Sequence, residues 1–195
     1  DGWPKPNKGR IERIFDPQHI KDAGVVQTKK LIEAGMDGKS VADLAGLLGY
    51  PDPRVRQAAQ FELVKRGAGP AWTTLYGVAQ TGGTQQARIH AIWGVWQLGQ
   101  KDPKAVLPLV GLLSDPDAEI RAQAARVLGD CWCIEAHDQL VGLLRDPSPR
   151  VRFFAGVALG RVGRPDDAKP LLAMLTANDD KDPYLRHAGV VGLQG

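Results

Sequence analysis

Five stretches of the chain repeat one pattern of apolar and polar positions. In each, an arginine follows an apolar residue, a small residue comes three positions later, and leucine or valine comes seven positions later. The arginines lie 31 to 34 residues apart and are Arg56, Arg88, Arg121, Arg152 and Arg186. Positions one before, three after and seven after the arginine share one face of an α-helix. The pattern therefore predicts five equivalent helices, each with one apolar face.

Each of these helices is preceded by a second apolar pattern and a capping residue. The earlier pattern has helical spacing, as in Leu140, Leu143 and Leu144. The residue four before each arginine has a side-chain oxygen that can accept a hydrogen bond from a free backbone amide. These residues are Asp52, Thr84, Asp117, Ser148 and Asp182. One hairpin cannot bury its apolar face alone, so the repeat predicts stacked hairpins.

The predicted fold is all-α, a right-handed α-solenoid over residues 22–195 with about five helical hairpins. The hairpins are predicted at about 40–67, 70–99, 103–130, 134–163 and 166–195. A helix over 22–35 is expected to cap the first hairpin, and Ser40 with Asp43 has the spacing of a capping box. Glycines near helix ends, including Gly129 and Gly160, are expected to adopt left-handed backbone geometry.

Residues 1–21 do not share the repeat. Ile11 and Ile14 stand in a stretch that predicts a short strand ending at Asp16-Pro17. A lone strand is not stable, because its backbone groups need a partner strand. We therefore expect residues 1–21 to be an extended segment, the tail of a preceding domain, and the chain to be a piece of a longer protein.

The hairpins resemble HEAT repeats, of the short bacterial kind also seen in phycobilin-lyase-type proteins. The resemblance covers residues 40–195. That family has an aspartate six positions before the arginine, matched by Asp115, Asp146 and Asp180 but not by Tyr50 or Gly82. We interpret the arginines as structural. Each guanidinium is expected to donate to a carboxylate or carbonyl of a neighbouring turn and so join one repeat to the next.

A second resemblance covers most of the chain. The runs GWPKPNKGRIERIFDP, TKKLIEAGM and SVADLAGLLGYPDPRVRQAAQFELVKRG resemble the middle of large bacterial membrane-bound dehydrogenases. In that family a β-propeller precedes HEAT-like repeats and a c-type haem domain follows them. The resemblance implies that residues 1–16 end a propeller, that the parent is exported or membrane-associated, and that this segment is a spacer or docking module. No C-x-x-C-H motif occurs, so no cofactor is expected in this segment.

Charge and hydropathy limit the possible partners. The formal net charge is +3, which allows an acidic partner but lacks the strong basic excess typical of nucleic-acid binding. No apolar run approaches the length of a membrane-spanning helix, so membrane insertion is not expected. The partners predicted for this segment are therefore proteins.

The candidate chemistry is sparse. Cys131, Cys133 and His137 could supply two or three metal ligands, but C-x-C without a second pair is a weak metal signal. The alternative is that both cysteines are small buried residues at a repeat junction. No catalytic motif with complete spacing occurs, so no catalytic residue and no metal site is predicted.

Aromatic and cationic residues cluster on the second helix of the hairpins, opposite the packed face. The predicted partner-binding residues are Phe61, Lys65, His90, Trp93, Arg126, Phe153, Phe154 and Arg161. The resemblance implies that second helices line the concave side of the solenoid. Exposed aromatics beside arginine are typical of protein-binding surfaces. Two interpretations stay open: a binding surface, or aromatics buried between repeats by helix curvature.

The leading hypothesis is a non-catalytic scaffold that holds neighbouring domains or a separate protein. The competing hypothesis is a HEAT-like enzyme or nucleic-acid-binding module, similar to certain DNA glycosylases or bilin lyases. A glycosylase of this kind would use Trp93 and Trp96 in a cationic groove around a flipped base. The low net charge speaks against it.

Overall fold

The computed structural model describes residues 15–67 and 69–195, and every regular element in these ranges is helical. The α-helices are α1 (Ala23–Ala34), α2 (Val41–Leu47), α3 (Pro53–Arg66), α4 (Pro70–Thr81), α5 (Gln85–Gly99), α6 (Ala118–Asp130), α7 (His137–Leu143), α8 (Pro149–Val162), α9 (Ala168–Asn178) and α10 (Pro183–Gly192). A 3-10 helix occupies Pro103–Ser114, and short 3-10 turns at Ile134–Ala136 and Pro165–Asp167 precede α7 and α9. The strand predicted at Ile11–Ile14 lies outside the described residues.

Successive hairpins stack side by side. Consecutive second helices contact one another along the series α3, α5, α6, α8 and α10. Each of them also packs on the first helix of its own hairpin. Their leucines and valines join one continuous core, in which Leu63, Val95, Leu128 and Leu159 are fully buried. The predicted all-α solenoid is confirmed.

The first helix of the third hairpin differs from the α-helix that its spacing predicts. Pro103–Ser114 is a 3-10 helix with Pro108 in its interior. Proline cannot donate the backbone hydrogen bond of an α-helix, and its ring crowds the carbonyl four residues earlier. A 3-10 helix has three residues per turn, so Val106, Leu109 and Leu112 align on one side and are all buried.

Most predicted caps are present. Ser40 and Asp43 form a reciprocal capping box at the start of α2. Four of the five second helices have the expected side-chain cap, and the exception is Ser148 of α8. There the carboxylate of Asp146 accepts a hydrogen bond from the amide of Ser148 at 2.8 Å. At the start of α1, the side chain of Asp22 makes no capping hydrogen bond.

Helix α1 lies against the first hairpin without burying any residue completely. Its Leu31 packs partly on the core, and the hydroxyl of Thr28 lies 3.2 Å from that of Tyr50. The other apolar side chains of α1, such as Val25 and Ile32, are exposed. The helix therefore covers the first end of the stack only in part.

The expectation of left-handed glycines at helix ends is wrong for Gly129 and Gly160. Within the described residues, only Gly35, Gly67 and Gly69 have positive φ. Gly129 lies inside α6, where an added Cβ would be 2.6 Å from the Cβ of Ala158 on α8. Glycine is needed here because two helices approach closely, and not because the backbone turns.

The arginine of each second helix connects its own turn to the next hairpin where a carboxylate is in reach. Arg121 donates from Nη1 to the carbonyl of Asp115 at 2.8 Å, within its own hairpin. It also donates from Nε and Nη2 to the two oxygens of Asp146 in the next hairpin, at 2.8 and 3.0 Å. Arg88 likewise donates to both carboxylate oxygens of Asp115, from Nη1 and Nη2. The aspartate that the family has at this position thus accepts hydrogen bonds from the arginine of the preceding repeat.

The contact is absent at two junctions, one that lacks the aspartate and one that has it in a longer turn. The second hairpin has Gly82 in place of the aspartate, and the Nε of Arg56 is buried with no hydrogen-bond partner among the described residues. At the fifth hairpin, Asp180 pairs with Arg186 of its own hairpin at 2.6 Å. The backbone of that turn is left-handed at Asp179 and Asp180. The 34 residues from Arg152 to Arg186 are also the longest interval between consecutive arginines of the repeat. In the described part of the chain, Arg152 donates only to the carbonyls of Asp146 and Pro147 in its own turn.

We expect Gly129→Ala and Gly142→Ala to have opposite effects on the free energy of unfolding. The methyl group at Gly129 would overlap Ala158, which costs about 1–3 kcal/mol. Gly142 lies exposed in α7 with open space around it, so alanine there stabilises by about 0.5–1 kcal/mol. Urea denaturation of both variants measures the difference. Equal effects of the two substitutions would contradict the close approach of α6 and α8.

Asp146→Asn should destabilise the protein by about 3 kcal/mol, because it leaves the buried charge of Arg121 without its counter-charge. Asp180→Asn is the matched control, since its pair with Arg186 is exposed and should contribute less than about 1 kcal/mol. Thermal and urea unfolding of the two variants gives the comparison. A loss at Asp146 as small as that at Asp180 would refute a joining role for this contact.

Candidate interaction surface

One side of the second helices carries exposed residues together with residues buried between neighbouring helices, among them His90, Gln123 and Ala188. Positions two before and two, five and nine after each arginine share this side, because their spacings follow the helical period. We call it the second-helix face. Its residues are Arg54, Ala58, Phe61 and Lys65 on α3; Gln86, His90, Trp93 and Gln97 on α5; Glu119, Gln123, Arg126 and Asp130 on α6; Arg150, Phe154, Val157 and Arg161 on α8; and Tyr184, Ala188 and Val191 on α10.

Hydrogen bonds connect neighbouring helices across this face. On α3, the buried Gln60 donates to Gln97 at 2.9 Å, and its carbonyl lies 2.8 Å from Nδ1 of His90. The indole of Trp93 donates to Gln123 at 2.9 Å. These bonds fix the side chains of three consecutive hairpins relative to one another.

The network continues from α6 to α8. Gln123 donates to Glu119 at 2.7 Å, and Arg150 donates to both oxygens of Glu119 at 2.6 and 3.1 Å. The guanidinium of Arg150 also lies over the ring of Phe154, 5.1 Å from its centroid. Four hairpins therefore share one chain of polar and cation–π contacts.

The two interpretations of the aromatic residues each describe part of the face. Phe61 is 48% exposed. Trp93 is half-buried, with its ring edge-to-face against His90 at 5.2 Å. Phe154 is also half-buried and lies edge-to-face at 5.1 Å against Phe153, a predicted partner-binding residue that lies beside the second-helix face and not on it. Phe61 is thus available to a partner, whereas Trp93 also joins two repeats through its hydrogen bond to Gln123.

His90 is buried within the network. Burial, with a smaller contribution from the positive charge of Arg56, lowers the pKa of His90 to about 4. The imidazole is therefore neutral near pH 7 and suits a neutral hydrogen bond with Gln60. Of the residues predicted for the surface, His90 is the one whose main role is to hold the face together.

The exposed charges on the face are mostly positive. It carries five cations, Arg54, Lys65, Arg126, Arg150 and Arg161, all exposed. Its two carboxylates are recessed, with Glu119 25% and Asp130 22% exposed. Asp130 accepts a hydrogen bond from Arg161 at 2.7 Å, so the acidic groups are already occupied by neighbouring arginines.

Arg126 has no hydrogen bond to any described residue. Its nearest carboxylate is Asp130, 3.7 Å from its Nε. The guanidinium lines a hollow together with Gln60, Trp93, Trp96 and Val127. The indole Nε1 of Trp96 is also buried with no acceptor in the described part of the chain. The hollow is therefore lined by one exposed donor group without a close acceptor, the guanidinium of Arg126.

The cysteines and His137 do not form a metal site. Within residues 15–67 and 69–195, no three or more His, Cys, Asp or Glu side chains have an arrangement that could hold a metal ion. Both cysteines are buried and unpaired, and burial raises the pKa of the Cys133 thiol to about 11. The ring nitrogens of His137 instead lie 2.7 Å from Asp138 and 2.8 Å from Asp167, which joins the fourth and fifth hairpins.

Sequence reasoning missed the column two positions before each arginine. It contains Arg150 and Glu119, which form the contact between α6 and α8. Gln60 and Gln97 were missed as well. Extending the predicted face by one helical turn in each direction would have included Arg150, Glu119 and Gln97. It does not find Gln60, whose contact with His90 depends on the tertiary structure.

None of the described helices is both long and apolar enough to cross a lipid bilayer.

The lowered pKa of His90 predicts that the free energy of unfolding depends on pH. Its pKa is lower in the folded chain, about 4, than the ordinary value of about 6.5, so the unfolded chain binds the proton more tightly. Stability is therefore complete above pH 6.5 and falls as the pH drops toward 4, by about 2–3 kcal/mol. Urea unfolding from pH 7 to 4 should show this loss in the wild type and a smaller one in His90→Gln. An equal loss of stability in the wild type and in His90→Gln would contradict a lowered pKa of His90 in the folded chain.

Comparisons with known proteins agree with this geometry. A family model described as HEAT repeats matches residues 109–194. No curated protein sequence matches the chain. Among solved structures, a chain of the CpcE–CpcF complex of phycocyanin lyase from Nostoc sp. PCC7120 is similar with a TM-score of 0.60 and 22% identity, covering 78% of this chain and 96% of that one.

Two designed armadillo repeat proteins are also similar. YIII(Dq)4CqI has a TM-score of 0.52 and 21% identity, covering 90% of this chain and 88% of its own. YIII(Dq.V1)4CPAF, solved with the peptide (KR)4, has a TM-score of 0.51 and 20% identity, covering 79% and 80%. At these identities the likeness concerns the fold alone. The family match covers residues 109–194, which is less than half of the chain, and both findings agree with a fold of stacked helical hairpins.

Proposed function

We propose that this chain is a non-catalytic protein-interaction module that binds its partner on the second-helix face. The observation that carries the proposal is the combination of exposed Phe61, half-buried Trp93 and exposed arginines on one surface built from consecutive helices. Aromatic residues and arginine are the types that contribute most energy at protein interfaces. HEAT and armadillo repeats commonly serve this purpose.

The face is also held in place before a partner arrives. Trp93 is fixed by Gln123 and His90, and Arg150 is fixed by Glu119. Side chains that are already ordered lose less conformational entropy when they bind, so a preorganised face binds more tightly than a mobile one.

The buried side chains of the described part do not favour catalysis. Cys131 and Cys133 are buried, and burial raises the pKa of both thiols, so little nucleophilic thiolate forms near neutral pH. His90 and His137 are engaged by hydrogen bonds inside the stack. We therefore propose a binding role for this segment and no chemistry of its own.

A solved solenoid gives an example of this use. The designed armadillo protein YIII(Dq.V1)4CPAF holds a short peptide, (KR)4. Its identity to this chain is 20%, so its ligand is a property of that protein. It supports only the idea that a stack of helical hairpins can hold an extended peptide.

We further propose that the module serves as a spacer in a larger membrane-associated dehydrogenase. The support is the resemblance of residues 2–17 and the segments that follow to the middle of such proteins. Sequencing the gene on both sides provides the test. An upstream β-propeller and a downstream C-x-x-C-H are expected, and unrelated flanking domains would refute this assignment.

A peptide-display selection against the whole chain tests the binding role. Peptides enriched from a random library should bind in a titration and lose about tenfold or more in affinity with Phe61→Ala, because the exposed ring is an interface anchor. The matched control is Trp132→Ala. Trp132 is 65% exposed but lies in the loop after α6, away from the second-helix face, so its removal should change the affinity less than about twofold.

Two results would count against the binding role. One is a selection that yields no peptide with saturable binding. The other is a set of ligands whose affinity responds to Trp132→Ala and not to Phe61→Ala, which would place the binding surface elsewhere on the chain.

A further inference from the structure

We infer that the second-helix face binds an extended acidic peptide segment, with one partner carboxylate seated on Arg126 beside Trp93. This inference rests on the proposed function and specifies the chemistry of the partner. It follows from the arrangement of charge on the face, from the guanidinium of Arg126 that lacks a close acceptor, and from the apolar side chains between the charges.

The first step concerns which charges a partner would meet. All five cations of the face are exposed, whereas Glu119 and Asp130 lie recessed beneath arginines that contact them. Glu62, one position beyond Phe61, is also largely buried and contacts both Lys65 and Arg66. A partner that approaches the face therefore meets more exposed cations than exposed carboxylates, although four of the five cations are paired with a carboxylate of this chain.

The second step identifies the anchor. Arg54, Lys65, Arg150 and Arg161 each have a carboxylate within hydrogen-bond distance. Arg126 alone among the cations of the face has none, since Asp130 gives its close contact to Arg161. An arginine without an acceptor can bind a carboxylate through two parallel N–H donors. Arg126 is therefore the cation whose hydrogen bonds are free for a ligand.

The third step concerns the surroundings of Arg126. The hollow that it lines also contains Trp93 and Trp96, and Val127 closes it. Because the guanidinium of Arg126 has no hydrogen-bond acceptor among the described residues, a ligand that brings a carboxylate fits this hollow better than a purely apolar one. The indole rings supply apolar contact for the methylene groups of a glutamate side chain.

The same features favour a peptide over a nucleic acid. A polyphosphate backbone needs a continuous row of cations, and Glu119 and Asp130 interrupt such a row between Lys65 and Arg161. The apolar residues Phe61, Trp93 and Val157 separate the charges instead. Spaced acidic residues with small or apolar residues between them complement this pattern.

The test measures binding of short fluorescent probes to the whole chain by anisotropy. The probe is an alternating Glu-Ala octapeptide, and the comparison probes are a Lys-Ala octapeptide and an oligothymidylate of equal negative charge. The Glu-Ala probe should bind saturably and weaken as salt rises, because charge pairs are screened. The Lys-Ala probe should not bind.

The variant Arg126→Gln should weaken Glu-Ala binding about tenfold or more, because it removes the charge-assisted hydrogen bonds to the carboxylate. Arg145→Gln is the matched control. Arg145 is an exposed arginine in the turn between α7 and α8, outside the second-helix face, and should change the affinity less than about twofold. Arg126 is exposed at the surface, and circular dichroism of both variants verifies that the fold is retained.

Four outcomes overturn the inference: no saturable binding of the Glu-Ala probe, equal binding of the Lys-Ala probe, equal or tighter binding of the oligothymidylate, or equal effects of Arg126→Gln and Arg145→Gln. Tight oligothymidylate binding would favour a nucleic-acid surface. If display-selected peptides depend on Phe61 while the Glu-Ala probe fails, the proposed binding role stands and only the acidic partner is refuted.

Discussion

The close approach of successive second helices is the constraint on which the rest of this structure depends. Gly129 on α6 meets Ala158 on α8 at a distance that leaves no room for a larger residue. This approach brings the turn of one hairpin within reach of the arginine of the preceding one, so Arg121 can bind Asp146. Apolar burial supplies the energy of stacking, and the arginine contact is directional, which favours one register between neighbours.

The same register places the outward side chains of adjacent helices in contact. Gln60 reaches His90, Trp93 reaches Gln123, and Glu119 reaches Arg150 because the helices that carry them lie side by side. Side chains that would be mobile on an isolated hairpin are therefore ordered on the stack. The second-helix face owes its fixed pattern of rings and charges to packing on the opposite side of the same helices.

The ends of the stack differ from its middle for the same reason. Leu193 has the position of the buried Leu128 and Leu159, but 41% of it is exposed because it lies in the last described hairpin. Asp180 turns back to Arg186 because the longer left-handed turn carries it away from Arg152. The regular pattern thus holds where a hairpin has neighbours on both sides and an uninterrupted turn.

The sequence by itself determined the all-α solenoid, its five hairpins and most of their caps, because apolar spacing and capping residues act within one helix or one turn. It also selected several residues of the second-helix face, such as Phe61, Trp93 and Arg126, from helical period alone. Only the tertiary structure decided that His90 is buried on Gln60, that Arg126 lacks an acceptor, and that Gly129 serves helix contact. These properties depend on the distance between residues about 30 positions apart, and a local pattern contains no information about that distance.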